Sequence, residues 1–330
     1  MGERDFEPVS VLGDGITQLR LPMAGNPLGY INGYLVAEDD GYTLIDCGWR
    51  ADDVLAALHA GLAACGLTLR DVRRLAITHF HFDHYGLAGT LLREGVPELL
   101  MHRLDWEFAR RILEDASAAD AMSDAWIERN GFSTESTLEE EVQYGRTELT
   151  EPTRRLEDGA GVGRLRAIWT PGHSPGHVCF TDTRSGRMFT GDHVLDPITP
   201  HVGVWHAGRG DPLGEYIASL QKVDAIGATG VLPAHGEPFP DLHRRTSELL
   251  AHETARERQV LAALAGGPTD AARVAAALPW TRRNRTFEEL SGAHRQFAVA
   301  ETLAHLEHLL VGGSVVRDDD GVPISYRLAA

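Results

Sequence analysis

Residues Thr78–Gly89, "THFHFDHYGLAG", place His79, His81, Asp83 and His84 together directly after the apolar run that closes "RRLAI". A structural histidine usually occurs singly with its ring nitrogens paired, and three rings with a carboxylate would be a costly way to fill a core. On a strand end, alternate residues share a face. His79 and His81 can therefore converge on one ion while Asp83 and His84 turn toward a neighbouring one. Imidazole nitrogen with carboxylate oxygen suits zinc, and also iron, manganese or cobalt. The competing reading, a His-rich surface loop, needs four positions to match by chance.

Further donors follow downstream in similar surroundings. "TPGHSPGH" offers His173 and His177 on a Gly/Pro loop, "FTGDH" offers Asp192 after an apolar strand, and "LPAHGEP" offers His235. Any one of these alone reads more simply as a loop or capping residue. Each closes a strand-like run, however, and strand ends on one edge of a sandwich meet in space.

Around these motifs the chain alternates between strand and helix patterns. Residues 16–49 fall into short apolar pieces broken by Gly, Pro, Asn and Asp, as hairpin-linked strands would be. Residues 51–65 have helical spacing, and "PELLMH" reads as another strand. Strand signals resume at "LRAIWTPGHSPGHVCFTD" and "RMFTGDHVL", followed by a helix at about 212–225 and by "GVLPAHGEPF". Two β-rich halves, each closing with helices, predict two sheets packed face to face with helices outside. Residues 103–150 read as a mostly helical, acidic insertion containing Trp106, Phe108, Met122 and Trp126.

The pattern changes after Pro240. A helix over roughly 241–265, a second with Thr269 as N-cap, a third in "AHRQFAVAETLAHLEHLL" and a hairpin in "GSVVRDDDGVPISYRL" give the order of a winged-helix module. The expected organisation is an α/β catalytic domain over 1–240 and a winged-helix-like domain over 241–330.

In this order and context the motifs strongly resemble those of the metallo-β-lactamase superfamily, met by Asp46 in "LIDCG", the "HFHFDH" run, His173, Asp192 and His235. The resemblance covers about residues 16–240. It implies an αββα sandwich with the site on one edge and two metal ions, zinc first, with iron or manganese as substitutes. Carried over residue by residue, His79, His81 and His173 hold one ion, Asp83, His84 and His235 hold the second, and Asp192 bridges both. Asp46 lies behind them, orienting a ligand; its plainer reading is a turn residue. Two dications lower the pKa of a shared water and polarise the oxygen under attack, so the implied chemistry is hydrolysis by a metal-bound hydroxide. Asp83 or Asp192 are the candidates for moving the proton.

Several branches of that superfamily share nearly the same ligands. The chain is similar to glyoxalase II-like thioester hydrolases in "TPGHSPGH", and its C-terminal module resembles that of the β-lactamase-like-protein-2 group, which includes endoribonucleases. Acyl-homoserine-lactone lactonases carry a Tyr where Leu195 stands. A nucleic-acid contact would use Arg282, Arg283, Arg285 and Arg295. Residues 241–330 nevertheless hold 11 Arg against 12 Asp plus Glu, and Asp318, Asp319 and Asp320 line the wing. Acidic groups there repel phosphates. The whole chain carries 31 basic and 48 acidic residues, a formal net charge of −17, which disfavours nucleic acid and anionic membrane surfaces as partners.

The expected activity is hydrolysis of an ester, thioester or lactone carbonyl in a small acyl substrate, with a metal-dependent endoribonuclease or phosphodiesterase as the alternative; the C-terminal module reads as a lid or as a homodimer contact. Tyr85, Trp205 and His206 are candidate substrate contacts. His102 and His193 read as structural. Three cysteines without paired spacing, an N-terminus lacking a basic-then-apolar leader and the absence of a long apolar run predict a reducing, cytoplasmic setting.

Overall fold

A computed structural model describes residues 6–113, 125–132, 148–204, 210–281 and 284–329. Four strands, β1 (Val9–Gly13), β2 (Ile16–Pro22), β3 (Tyr30–Glu38) and β4 (Gly41–Ile45), form an antiparallel meander. β5 (Val72–Ala76), β6 (Glu98–His102) and β7 (Arg154–Leu156) extend it in parallel to seven strands, in the order β1 to β7. A second sheet contains β8 (Gly161–Val162), β9 (Leu165–Trp169), β10 (Val178–Asp182), β11 (Met188–Gly191) and β12 (Val231–Pro233), in the order 12-11-10-9-8.

Alternation along the strands builds the core between the sheets. Ile16, Val36, Ile45, Ala76 and Leu100 of the first sheet join Leu165, Ala167, Val178, Phe180 and Leu232 of the second in one buried cluster. Tyr34 of β3 meets Phe189 of β11 edge-on at 5.2 Å between ring centroids. Each large apolar side chain removed from water contributes roughly 1.5–3 kcal/mol, so this layer stabilises a sandwich whose edge is free to carry polar groups. The helix α1 (Asp52–Ala64) buries Val54, Leu58 and Leu62 and packs on β2. Two short helices, α2 (Phe82–Tyr85) and α3 (Ala88–Arg93), follow β5, and α4 (Arg103–Leu113) follows β6.

The chain divides into two compact units, one of residues 1–111, 143–200 and 219–246, the other of 112–142, 201–218 and 247–330. The second unit has its own core, which includes Val260, Leu264, Ala275, Trp280, Val299, Leu303 and Tyr326. It contains the helices Ala271–Ala276 and Gly292–Val311 and the antiparallel hairpin of β13 (Val315–Asp318) and β14 (Ser325–Leu328). The helix Leu242–Leu264 matches the expected 241–265 element.

One expected cap is displaced. Asp270, rather than Thr269, caps the helix Ala271–Ala276, its carboxylate accepting the Arg273 N–H at 2.9 Å. Thr269 instead exchanges two backbone hydrogen bonds with Tyr326 on β14, a pairing no local pattern encodes. Within the expected 103–150 insertion, 103–113 and 125–129 are helical, and residues 114–124 and 133–147 lie outside the described residues. Among the described residues no helix is long and apolar enough to cross a membrane.

Candidate metal centre

Strand direction gathers the donors. β4 and β5 are parallel, so Asp46, just past β4, and Thr78–His79, just past β5, emerge at the same edge of the first sheet. β9 and β11 both run antiparallel to β10, and β12 runs parallel to β11. The segments after β9, β11 and β12, which carry His173, Asp192 and His235, therefore leave one edge of the second sheet. His81 is the residue preceding α2, and that single helical turn holds Asp83 and His84.

Three imidazoles form one donor group. His79 Nε2 lies 2.9 Å from His81 Nδ1, and His173 Nε2 lies 3.2 Å from the first and 3.0 Å from the second. Three such nitrogens cannot all donate to one another, and the spacing is close to that of nitrogens sharing an ion through bonds of about 2.0–2.1 Å. Burial, reinforced by the neighbouring rings, holds His79 well below the usual histidine range and pushes His81 down to about 3. At neutral pH both are uncharged, the state a metal requires.

Asp83, His84 and His235 form the other group, their donor atoms all within 4.8 Å of one another. His235 Nε2 is 3.3 Å from Asp83 Oδ2 and 3.5 Å from Asp192 Oδ1. Asp192 also faces the first group, with Oδ2 3.8 Å from His173 Nε2. His84 Nε2 and Asp192 Oδ1 are buried without a hydrogen-bond partner, and they face each other at 3.6 Å. A buried orphan normally costs about 1–3 kcal/mol; an ion between the two would satisfy both, so the donor set fits a divalent metal. Burial alone would raise the Asp83 and Asp192 carboxyls, but His84 and His235 outweigh it, leaving Asp83 at about 2 and Asp192 well below the usual range. In return the carboxylates overcome burial and raise His84 and His235.

A ring of supporting residues fixes the donors. Asp46, at φ 57°, accepts the Thr78 N–H and hydroxyl, both at 2.8 Å, and lies 2.8 Å from His84 Nδ1. That bond aims His84 Nε2 at the centre. His177, weighed as a donor in sequence, lies behind Asp192: its Nε2 accepts the Asp192 N–H at 3.2 Å while Nδ1 meets Thr170 Oγ1 at 2.8 Å. Gly191 allows this approach, because a Cβ there would stand 2.7 Å from His177 Nε2 and 2.9 Å from Thr78 Oγ1. Sequence reasoning missed Asn32, whose amide donates to Pro233 O at 2.9 Å and Gly236 O at 2.8 Å, bracketing His235. Its only local signal is a polar residue in the apolar β3 run.

The remaining candidates have other surroundings. Tyr85 is fully buried, and its hydroxyl donates to Thr150 O at 2.5 Å. Leu195, His102 and His193 are buried, His102 stacking on Trp169 at 5.6 Å. Trp205, His206, Arg282 and Arg283 lie outside the described residues. Cys47 and Cys179 are buried, with burial pushing the Cys179 thiol up to about 12.

Comparison with known proteins agrees with this geometry. Residues 26–235 match the family model described as the metallo-beta-lactamase superfamily. Among solved structures, the metallo-beta-lactamase family protein TTHA1429 from Thermus thermophilus is 32% identical, with a TM-score of 0.82 and coverage of 96% of this chain and 100% of that one. The lactamase-like protein adaB of Aspergillus niger is 28% identical over 73% of this chain and 62% of its own length. The atrochrysone carboxyl ACP thioesterase AgnL7 of Paecilomyces divaricatus is 29% identical over 71% of this chain and 59% of its own length. The chain thus spans about three-fifths of these two curated relatives.

Proposed function

The chain belongs to the metallo-β-lactamase superfamily; from that premise we propose that it is a metal-dependent hydrolase whose binuclear centre hydrolyses an acyl thioester. The observation that carries the reading is that Asp192 faces both donor groups, Oδ2 3.8 Å from His173 Nε2 and Oδ1 3.5 Å from His235 Nε2, with His84 Nε2 and Asp192 Oδ1 buried and without a hydrogen-bond partner. His79, His81 and His173 would hold one ion, Asp83, His84 and His235 the other, with zinc, iron or manganese suited to the set. When bound, two such ions would lower the pKa of water toward neutrality and polarise the acyl oxygen under attack.

The protein's own groups then have distinct tasks. Asp83 and Asp192 stay ionised, the state in which they would serve as metal ligands, and we assign the movement of the proton to this pair. Asp83, at 21% side-chain exposure, is the more accessible of the two for passing a proton to solvent. Asp46 holds the His84 ring, His177 holds the Asp192 backbone and Asn32 holds the His235 turn.

A thioester is favoured over a phosphodiester by the acyl-carrier thioesterase among the relatives and by the net charge of −17. On β13, Arg317 is paired with Glu307 at 2.8 Å and with Asp319 at 3.1 Å, which lessens its attraction for phosphate. We read the C-terminal helices and hairpin as a winged-helix module serving self-association. The test is a panel of metal-loaded protein against an acyl thioester, a lactone, an activated ester and single-stranded RNA. Thioester turnover that a chelator abolishes and added metal restores is expected. RNA cleavage, with binding that weakens steeply as salt rises, would replace this reading with the nuclease one.

A further inference from the structure

Asp105 belongs to neither donor group, yet it holds the residues beside all three imidazole donors. It lies in the first turn of α4, where a carboxylate is favoured by the exposed N–H groups of a helix start, and it is fully buried. Its Oδ2 accepts the Phe80 N–H at 2.9 Å and the Ser174 hydroxyl at 2.8 Å, while Oδ1 accepts the Gly176 N–H. Phe80 separates His79 from His81, and Ser174 follows His173. One carboxylate therefore joins two loops that are far apart in sequence at the residues adjoining their ligands. Gly176 permits the approach, since a Cβ there would stand 2.9 Å from Asp105 Oδ1 and 2.8 Å from His102 Nδ1.

We propose that Asp105 is the positioning residue of the three-imidazole site, holding His79, His81 and His173 at ligand spacing before any ion arrives. The need for it follows from the geometry: at 2.9–3.2 Å the three ring nitrogens cannot all form donor–acceptor pairs with one another, so the rings alone do not hold the two loops at this spacing. The two oxygens of a carboxylate accept all three of these donors without turning an N–H toward any of them. An amide in its place turns an NH₂ toward at least one of them. The inference rests on the metal reading of the preceding section, and it assigns control of one site only, because Phe80 and Ser174 directly adjoin ligands of that site.

Cobalt(II) titration of the metal-free full chain, followed by visible absorption, tests it, with His81→Ala identifying the absorption of the three-imidazole site. Wild type should take up two equivalents. Asp105→Asn should weaken the three-imidazole step by roughly 10–100-fold, the usual effect of losing a group that orients ligands, and leave the other step unchanged. Ser174→Ala, which removes one donor and leaves the carboxylate, should shift the same step in the same direction by less, and it decides the matter if Asp105→Asn does not fold. Folded variants that bind cobalt at that site as wild type does would overturn the proposal, as would equal weakening of both steps, which would make Asp105 a general anchor of the fold. A wild-type chain that takes up no cobalt would overturn the metal reading itself, and this inference with it.

Discussion

Two buried histidine–carboxylate groups can be set side by side: the metal-centre donors of the first unit, and Glu253, Arg256, Glu301 and His305 of the second. In the second unit the charges are matched within the protein. Arg256 Nε reaches Glu301 Oε1 at 3.3 Å, its guanidinium lies 4.3 Å from the centre of the Trp280 ring, and His305 Nε2 faces Glu253 at 3.4 Å. Burial pushes Glu253 up to about 8 and His305 down to about 3, so at neutral pH that pair is settled as an uncharged acid beside an uncharged ring. His305 Nδ1 is buried without a hydrogen-bond partner. At the metal centre the carboxylates remain charged, and a nitrogen and an oxygen that each lack a hydrogen-bond partner face each other at 3.6 Å. Burial of the same residue types thus gives a structural network in one place and a ligand set in the other, and convergence of unmatched atoms makes the difference.

The comparison breaks most visibly at Asp192, the carboxylate that faces both donor groups. Asp192→Ala should lose metal and reduce turnover by more than the roughly 10–100-fold typical of a group acting only through a ligand. Glu301→Gln should keep both metal and turnover, which elemental analysis and the thioester assay would read together. Full activity in Asp192→Ala would mean the two groups do not act as one centre.

Asp46 tests a smaller effect, because it acts through His84. Its φ of 57° is a conformation that L residues adopt at a cost, so Asp46→Gly removes the carboxylate while easing the backbone. A loss of roughly 10–100-fold in metal affinity at the Asp83, His84 and His235 site, despite the easier backbone, would place the effect in the carboxylate bond to His84. Wild-type affinity in Asp46→Gly would return Asp46 to the plainer reading of a turn residue.

How far these roles were legible depends on whether the signal was local. The "HFHFDH" run, and His173, Asp192 and His235 at strand ends, could be read because a metal needs several donors and strands deliver them to one edge. The sandwich was legible from apolar pieces punctuated by turns. Asp105, Asn32 and His177 are different: each works through partners on other segments, such as the Asn32 amide on Pro233 and Gly236. A lone Asp at a helix start or a lone Asn in a strand has many ordinary explanations, and only the packed chain selects one. Thr269 failed as a cap for the same reason, its backbone being committed to Tyr326 on β14, far away in sequence.

The smallest expected effect lies in the second unit and sharpens the claim that its cluster is structural. Glu253 rises from 4.5 to about 8, chiefly through burial and then through Glu301, with Glu257 adding to the shift and Arg256 opposing it. Between those values the folded state holds a proton that the unfolded state has released, so stability falls as pH rises, by up to about 1.4 kcal/mol per pH unit. His305 falls from 6.5 to about 3 through burial, with Arg256, His252 and His308 adding to it. Over that window the unfolded state holds the extra proton, and stability rises with pH. The two slopes oppose each other from pH 4.5 to 6.5, whereas between 6.5 and 8 only that of Glu253 remains. Hydrogen exchange in the helix Gly292–Val311, corrected for the intrinsic rate, should therefore show protection declining from pH 6.5 to 8 in wild type and a flatter profile in Glu253→Gln. An equal decline in both proteins would remove Glu253 as its source, and metal content altered by the same substitution would dissolve the distinction between the two clusters.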